Sequence, residues 1–271
     1  WCVGFCKMMG ELAKNEDTVR VRMRLRDRAD EHYFAVFDGH GGRTAALLAA
    51  SNFHVLLAQH LDDLPPTAPT DLVLDTLRAA FLQFNSQLSL HLRSLQLADT
   101  VGATGTVLLV CQDMLYAANV GDSFAVYFDG SSIHELTSPH NPSAEAEAER
   151  VRSLGGVVLE DKNSLNLRIA VAGNSGGTAV TRSLGDFHMA PLVVADPYVT
   201  ARHVPLDNFS MKLTRFVIVA CDGLWDVISF EEAVGIVRGH TDALQASVHL
   251  RDIAYTSGSS DDITVLVVRI A

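Results

Sequence analysis

The sequence is poor in cysteine and contains no long apolar run. Its four cysteines, Cys2, Cys6, Cys111 and Cys221, form no CxxC pair in 271 residues. This excludes a disulfide-stapled scaffold and favours a reducing intracellular compartment, the cytoplasm or the nucleus. No uncharged apolar stretch approaches the ~18 residues of a membrane span, so we expect none. The chain opens at Trp1 rather than methionine, so we expect a trimmed upstream segment and cannot read a targeting signal.

Positive charge is also scarce. Lys and Arg number 21 against 32 Asp and Glu, which gives a formal net charge of −11. Such a chain repels polyanions, so a nucleic-acid partner is excluded unless a local basic stripe overcomes the field. Five arginines alternate with other residues from Arg20 to Arg28 and form one candidate stripe. Because no aromatic residues are interleaved, we favour a solvated face on an edge strand over a phosphate-binding surface.

Internal repeats and Gly/Ser linkers are absent, and the composition is that of a globular chain. Apolar residues make up 48% of the sequence and charged residues 20%, enough apolar material for a sizeable core. The only linker-like stretch, from Leu64 to Thr70, separates two helical patterns. We therefore interpret residues 1–271 as a single domain.

Hydrophobic periodicity predicts both helices and short strands. Helices are predicted over 43–61, 74–95 (entered through Thr70 or Asp71), 145–154, 230–238 and 242–255. Strands are predicted over 33–37, 105–111, 114–119, 124–128, 216–221 and 263–268. Ser229 and Glu232 match a capping box at the start of the fourth helix. The alternation is too irregular for repeated parallel βαβ units, so we predict an α+β fold of mostly antiparallel sheets covered by helices.

Acidic residues flank several of the predicted strands. They are Glu16 and Asp17, Asp38, Asp122, Asp222, and Asp261 with Asp262. Because strand ends meet at a common edge, these carboxylates are expected to converge, and cations must then compensate their charge. Oxygen ligands with almost no nearby His or Cys favour Mg²⁺ or Mn²⁺ over zinc. Asp-Gly is also a common turn dipeptide, as we interpret Asp129-Gly130, so spacing alone leaves a metal site and a set of turns equally open.

Five ordered blocks of the sequence resemble the successive motifs of the PPM, or protein phosphatase 2C, family. They are FAVFDGHGG at 34–42, ANVGDS at 118–123, VTRSLGD at 180–186, ACDGLWDV at 220–227 and SDDITV at 260–265. Further blocks at 136–142 and 149–158 extend the resemblance from about Gly4 to Val268. The family comprises metal-dependent protein serine/threonine phosphatases. The resemblance implies a β-sandwich of two packed, mostly antiparallel sheets flanked by helices, four layers in all.

The resemblance also implies a metal centre of two or three Mg²⁺ or Mn²⁺ ions. The matching ligands of two ions are Asp38, which would bridge them, the Gly39 carbonyl, Asp222 and Asp261. A third, weaker ion would be held by Asp122 with Asp222 and Asp226.

Other matching positions surround those ligands. Glu16 and Asp17 match acidic residues that hold metal-bound waters. Asp262 stands where the family often has Asn, and we expect it to contact the ligands rather than the ions themselves. His40 matches the residue proposed as general acid to the leaving alkoxide, a role worth about 10²–10⁴-fold in rate.

One departure from the family pattern affects phosphate binding. The Arg that commonly grips the substrate phosphate, five residues before Asp17, is replaced by Leu12. In an extended segment Lys14 projects from the same face as Leu12 and would supply a point charge; a solvated Lys is the competing interpretation. Arg43, directly after Gly42, is a second candidate for the phosphate.

The sequence therefore supports three readings. The first is hydrolysis of phosphoserine and phosphothreonine in a phosphorylated partner protein, by a metal-activated water, with no covalent phosphoenzyme and with the enzyme acting as a monomer. The second is a pseudophosphatase that serves as a regulatory binding module, favoured by Leu12. The third is a hydrolase of small phosphate esters. Retention of Asp38, His40 and Asp222 argues for an enzyme.

Overall fold

The computed structural model describes residues 1–10, 14–65, 67–97, 99–160, 167–173, 177–204 and 215–270. Strands and helices, in chain order, are β1 (Cys2–Met8), β2 (Thr18–Met23), β3 (Glu31–Phe37), β4 (Gly39–His40), α1 (Thr44–Asp62), α2 (Thr70–Ser94), β5 (Gly102–Ala103), β6 (Gly105–Cys111), β7 (Met114–Val120), β8 (Phe124–Phe128), β9 (Ile133–Glu135), α3 (Glu145–Ser153), β10 (Gly156–Glu160), β11 (Leu167–Val171), β12 (Leu184–Gly185), β13 (Tyr198–His203), β14 (Arg215–Ala220), α4 (Asp222–Trp225), α5 (Phe230–Arg238), α6 (Ala243–Thr256) and β15 (Ile263–Ile270).

Two five-stranded sheets form the centre of the fold. The first has the strand order β1-β15-β14-β8-β9 and the second the order β13-β7-β6-β3-β2. Neighbouring strands in both sheets are antiparallel. Two smaller sheets, β12-β5-β4 and β10-β11, lie beside them.

Alternating side chains give each central strand two apolar faces. In β3, Phe34 and Val36 belong to the core between the two sheets, whereas Tyr33, Ala35 and Phe37 belong to the core under α1 and α2. The first sheet is covered on its outer face by α5 and α6. A period of two explains this division, because successive side chains of a strand point to opposite faces. The result is a four-layer α+β sandwich, as predicted.

The helices also agree with the sequence pattern. The Ser229 hydroxyl accepts a hydrogen bond from the Glu232 N–H at 3.3 Å, and the Glu232 carboxylate accepts one from the Ser229 N–H at 3.0 Å. The predicted capping box is therefore confirmed. None of the helices in the described residues combines the length and hydrophobicity needed to cross a bilayer.

The arginine series is only partly a strand, which corrects the prediction. β2 lies at the edge of its sheet, as expected, but it ends at Met23. Arg24 and Arg26 then adopt left-handed backbone angles, with φ of 58° and 57°. The turn is held where the Arg26 guanidinium contacts the Glu31 carboxylate at 2.5 Å and the Asp62 carboxylate at 3.1 Å. Glu31 is close to Arg26 in sequence, but Asp62 belongs to α1, and a local sequence pattern cannot reveal a partner that distant.

The two faces of α2 provide a test of the layer arrangement. Leu88 is 2% exposed in the core under α1 and α2, whereas Leu90, two residues further on, is 70% exposed. We expect Leu88→Ala to lower the free energy of unfolding by about 2–5 kcal/mol, because it leaves a cavity. Leu90→Ala, the matched control, should change it by no more than about 0.5 kcal/mol. Urea unfolding measures both, and equal losses would contradict the assigned packing.

Candidate active site

The register of β2 against β3 brings two acidic residues together. Thr18 lies opposite Phe37, so the residues just beyond that pair, Asp17 and Asp38, leave the sheet side by side. Their carboxylate oxygens lie within 4.8 Å of each other. The antiparallel ladder therefore joins two acids that are separated by twenty residues of chain.

The other sheet delivers two further acids to the same end. Ala220 lies opposite Val265, which places Asp222, at the start of α4, beside the chain entering β15 at Asp261. Both residues line a cavity of about 720 Å³. The predicted residues that line this cavity are Lys14, Glu16, Asp38, Gly39, His40, Asp122, Asp222, Asp261 and Asp262.

Asp17 is not among the described residues that line this cavity, and three further positions lie elsewhere or outside the described chain. Asp226 lines an adjoining cavity of about 210 Å³ together with Asp122 and Asp222. Arg43 is exposed at the start of α1 and is not among the described residues that line the main cavity. Leu12 lies outside the described residues.

A hydroxyl pair ties the loop of Asp38 to the loop of Asp122. The backbone N–H of Asp38 donates to the Thr104 hydroxyl at 3.3 Å, and the Thr104 N–H donates to the Asp38 carbonyl at 2.8 Å. The Thr104 hydroxyl also contacts the Ser123 hydroxyl at 2.7 Å, in a buried position. Gly121 allows this approach, since its φ is 96° and a Cβ there would meet Thr104 at 2.6 Å. Neither Thr104 nor Ser123 is among the site residues predicted from the sequence.

Asp262 holds the segment that carries Glu16 against the start of β15. Its carboxylate accepts hydrogen bonds from the Gly10 N–H at 2.9 Å and from the Glu16 N–H at 2.7 Å. An Asn side chain has only one acceptor oxygen and could not accept both bonds in this way. Gly39 lies against the same segment, because a Cβ there would meet the Glu16 carbonyl at 2.8 Å. The acid at position 262 thus fixes the backbone beside the metal-ligand candidates.

The clustered carboxylates raise one another's pKa values. Burial raises the pKa of Asp38 well above its usual range, and the charges of Asp17, Asp222 and other neighbours raise it further. The pKa of Asp222 is raised in the same way, first by burial and then by the neighbouring acids. Burial also raises the pKa of Asp122 to about 6, with a contribution from Asp226. Carboxylates this close cannot all stay ionised without compensating cations.

Asp17 directly precedes β2, is buried, and is not among the described residues that line the cavity. It is 2% exposed, and neither carboxylate oxygen has a partner among the described residues. Burial raises its pKa to about 6. An unpaired buried carboxylate costs several kcal/mol unless it is protonated or meets a cation. This buried carboxylate lies beside that of Asp38 and close to further acids, a set of oxygen ligands that fits a hard divalent ion, so the residues present suit the implied metals.

His40 is held by an aspartate that the sequence analysis did not single out. The Nε2 atom of His40 lies 2.6 Å from a carboxylate oxygen of Asp186, and the Ser183 hydroxyl donates to the same oxygen at 2.5 Å. Burial disfavours the imidazolium, but the bond to Asp186 outweighs it and the pKa of His40 is raised. Asp186 ends the 180–186 block, which was the available signal for it.

The remaining wall of the cavity is formed by residues that no motif pointed to. They include Thr100, Arg168, Val171, Thr178, His188 and Met189. Arg168 and Val171 belong to β11, whereas Thr100, Thr178 and the pair His188 and Met189 come from other segments, so no single stretch of sequence marks them as cavity residues.

Comparison with known proteins shows which family this chain resembles in sequence and in fold. The sequence profile of the family described as Protein phosphatase 2C matches residues 1–263. Protein phosphatase 2C homolog 1 of Saccharomyces cerevisiae is 32% identical over 265 residues, which cover 93% of this chain and 87% of the yeast protein. Probable protein phosphatase 2C 59 of Arabidopsis thaliana is 32% identical, with 98% of this chain and 78% of the plant protein covered.

Solved structures show the same fold. A serine-threonine phosphatase 2C from Toxoplasma gondii superimposes with a TM-score of 0.80 at 21% identity, covering 99% of this chain and 94% of that chain. The similarity in structure therefore extends over both sheets and their covering helices.

The raised pKa of Asp17 predicts how pH affects the metal-free protein. A folded pKa of about 6, against 3.8 ordinarily, means that folding favours protonated Asp17, and this stability is lost as pH rises through 6. In EDTA, Asp17→Asn should have a higher free energy of unfolding than the parent protein at pH values between 4.5 and 7. The difference should reach a few kcal/mol, at about 1.4 kcal/mol for each unit by which folding raises the pKa of Asp17. Urea unfolding at several pH values measures this difference.

Asp129 is the control for that experiment, since its carboxylate is only slightly buried and its hydrogen bonds to His134 and to the Ser131 and Ser132 N–H groups lower its pKa. Asp129→Asn should therefore lose stability at neutral pH. If the free energy of unfolding of Asp17→Asn equals that of the parent at every pH, the raised pKa of Asp17 is contradicted.

Proposed function

This chain belongs to the protein phosphatase 2C family of protein serine/threonine phosphatases, and we propose that it hydrolyses phosphoserine and phosphothreonine in proteins with two or three Mg²⁺ or Mn²⁺ ions. The observation that carries the proposal is the convergence of buried acids from both sheets on one open cavity. A phosphate group is attracted there only when cations outweigh those acids, which makes metal binding part of the proposed activity.

In the proposal, two ions would be held by Asp38, the Gly39 carbonyl, Asp222 and Asp261. A third ion would be held by Asp122 with Asp222 and Asp226. Glu16 and Asp17 orient waters around them. A pair of such ions would neutralise phosphate charge and lower the pKa of bound water, so that hydroxide is available as the attacking group near neutral pH. Thr104 and Asp262 keep the ligand-bearing loops in place through the hydrogen bonds described above.

His40 is proposed to protonate the leaving alkoxide of the serine or threonine. Its bond to Asp186 keeps one ring nitrogen engaged and fixes the ring plane at the cavity wall. A serine alkoxide is strongly basic, so donation of a proton as the P–O bond breaks lowers the barrier. Lys14, exposed at the cavity, is the proposed cation for the substrate phosphate in place of the family's arginine.

The pseudophosphatase alternative is less well supported. Leu12 favours it, because loss of the family's arginine would weaken phosphate binding. Against it, every acidic residue of the implied centre is present and lies at or beside the cavity. The four cysteines are free thiols, in keeping with the proposed intracellular location.

The proposal is tested by hydrolysis assays with added Mn²⁺ or Mg²⁺. We expect release of phosphate from phosphoserine and phosphothreonine peptides, little from phosphotyrosine peptides, and loss of activity in EDTA. Asp38→Asn should lower kcat by more than about 10²-fold, whereas Asp129→Asn, in a remote turn, should not. Metal-independent or absent hydrolysis would refute the proposal, and hydrolysis of aryl phosphates alone would favour the small-ester reading.

The two candidate phosphate-binding cations can be separated by kinetics. Lys14 lines the cavity and Arg43 does not, so Lys14→Ala should raise KM for a phosphopeptide by about 2–5-fold, the scale of an exposed ion pair. Arg43→Ala should leave KM unchanged. An unchanged KM in Lys14→Ala would dismiss the role of this lysine.

A further inference from the structure

A separate cavity of about 400 Å³ lies beside the hairpin that joins β6 to β7, and we call it the hairpin cavity. Cys111 and Met114, the paired residues at the end of that hairpin, both line it. Asp122 lies just beyond the opposite end of β7, on the side of the acids. Within the described ranges, no residue lines both this cavity and the cavity of the proposed active site. The hairpin cavity therefore has no part in the site described above.

The walls of the hairpin cavity are largely apolar. Leu61 of α1, Val73 of α2, Leu109 of β6 and Tyr116 of β7 line it, and each is at most 7% exposed. All four belong to the core under α1 and α2, so the cavity extends into packed protein. Its size and its apolar walls are typical of sites that bind small organic molecules.

The charged side chains of the hairpin cavity favour an anion. Among the described residues that line it, only Arg26, Arg28 and Glu31 are charged, which gives a net charge of +1. The chain as a whole carries −11. Asp62 also contacts Arg26, but its side chain is 64% exposed, so solvent and salt screen its charge, and it does not line the cavity. A ligand with one negative charge complements this lining.

Arg28 keeps donors available for such an anion. The Glu31 carboxylate is already held by Arg26, which donates to its two oxygens at 2.5 and 2.8 Å. Arg28 donates to Glu31 from Nη1 at 3.0 Å, and its side chain is 48% exposed. Because a guanidinium has five N–H donors in a planar fork, it can bind a second carboxylate as well. Arg28 can therefore bind a ligand without leaving Glu31 uncompensated.

The Tyr116 ring indicates the apolar part of the ligand. It forms part of the cavity wall, and aromatic rings pair favourably with one another in stacked or edge-to-face arrangements. We propose that the hairpin cavity binds a small aromatic carboxylic acid, whose ring lies among Leu61, Val73 and Tyr116 and whose carboxylate binds Arg28. This binding goes beyond the proposed reaction and does not depend on it.

Titration of the metal-free protein with naphthaleneacetate tests the site, with calorimetry to measure the dissociation constant. EDTA is present because metal ions at the acidic cluster would themselves attract a carboxylate. Naphthaleneacetamide has the same ring system without the charge, and octanoate has the charge without the ring. We expect naphthaleneacetate to bind about 5-fold more tightly than either compound, the scale of one exposed ion pair or one aromatic contact.

Arg28→Gln removes the guanidinium, while Arg26 continues to compensate Glu31. It should weaken the binding of naphthaleneacetate by about 5-fold and leave that of naphthaleneacetamide unchanged. Arg22→Gln is the matched control, because Arg22 is an exposed arginine of β2 that is not among the described residues lining the cavity. It should bind both compounds as the parent does.

Filling the hairpin cavity provides a second variant. Ala68, in the loop between α1 and α2, is partly buried and lines the cavity. Ala68→Phe should weaken the binding of both naphthalene compounds by more than about 10-fold, because their rings lose buried apolar contacts. Circular dichroism establishes that each variant is folded.

The inference is overturned if the parent binds no naphthaleneacetate, if the amide or octanoate binds as tightly, or if Arg28→Gln binds the acid as tightly as Arg22→Gln. Methyl NMR signals give the position of the bound acid. Those of Val73 and Leu109 should shift, whereas shifts confined to Val171 and Met189 would place the acid in the other cavity and contradict the proposal. Phosphopeptide hydrolysis enters none of these measurements, so a failure of the proposed function leaves them unaffected.

Discussion

Mutual repulsion among buried carboxylates is the constraint on which this structure depends. Asp38 and Asp222 each have a pKa raised first by burial and then by neighbouring acids. A fold can keep such groups together only if apolar packing elsewhere outweighs the repulsion, and here the core between the two sheets is positioned directly behind them. Bound cations would compensate this repulsion, so the geometry of the cluster favours the binding of divalent metal.

Hydrogen bonds made by polar side chains hold that geometry in place. Thr104 joins the loop of Asp38 to that of Asp122, and Asp262 joins the segment of Glu16 to the start of β15. Each bond runs between chain segments that are remote in sequence, so the acids are fixed relative to one another rather than each to its own loop. Preorganisation of this kind lets a site bind ions without rearranging.

The departure at Leu12 changes one part of the site and leaves the rest. The acidic floor, His40 and its partner Asp186 are all in place, while Lys14, the proposed cation for the phosphate, lines the same cavity on the segment held by Asp262. A lysine offers a point charge where an arginine would offer a fork of donors. The expected difference is therefore in how tightly phosphate is held, with the reacting groups themselves unaltered.

The sequence by itself determined the layers and the acids. Period-two alternation in strands such as β3 specified two buried faces, and the ordered motifs identified Asp38, Asp122, Asp222 and Asp261, because both signals are local along the chain. Only the tertiary structure decided that Asp186 holds His40, that Thr104 bridges two loops, and that Arg28 and Tyr116 line one cavity. These contacts arise from strand pairing and sheet packing over long separations, which no local pattern encodes.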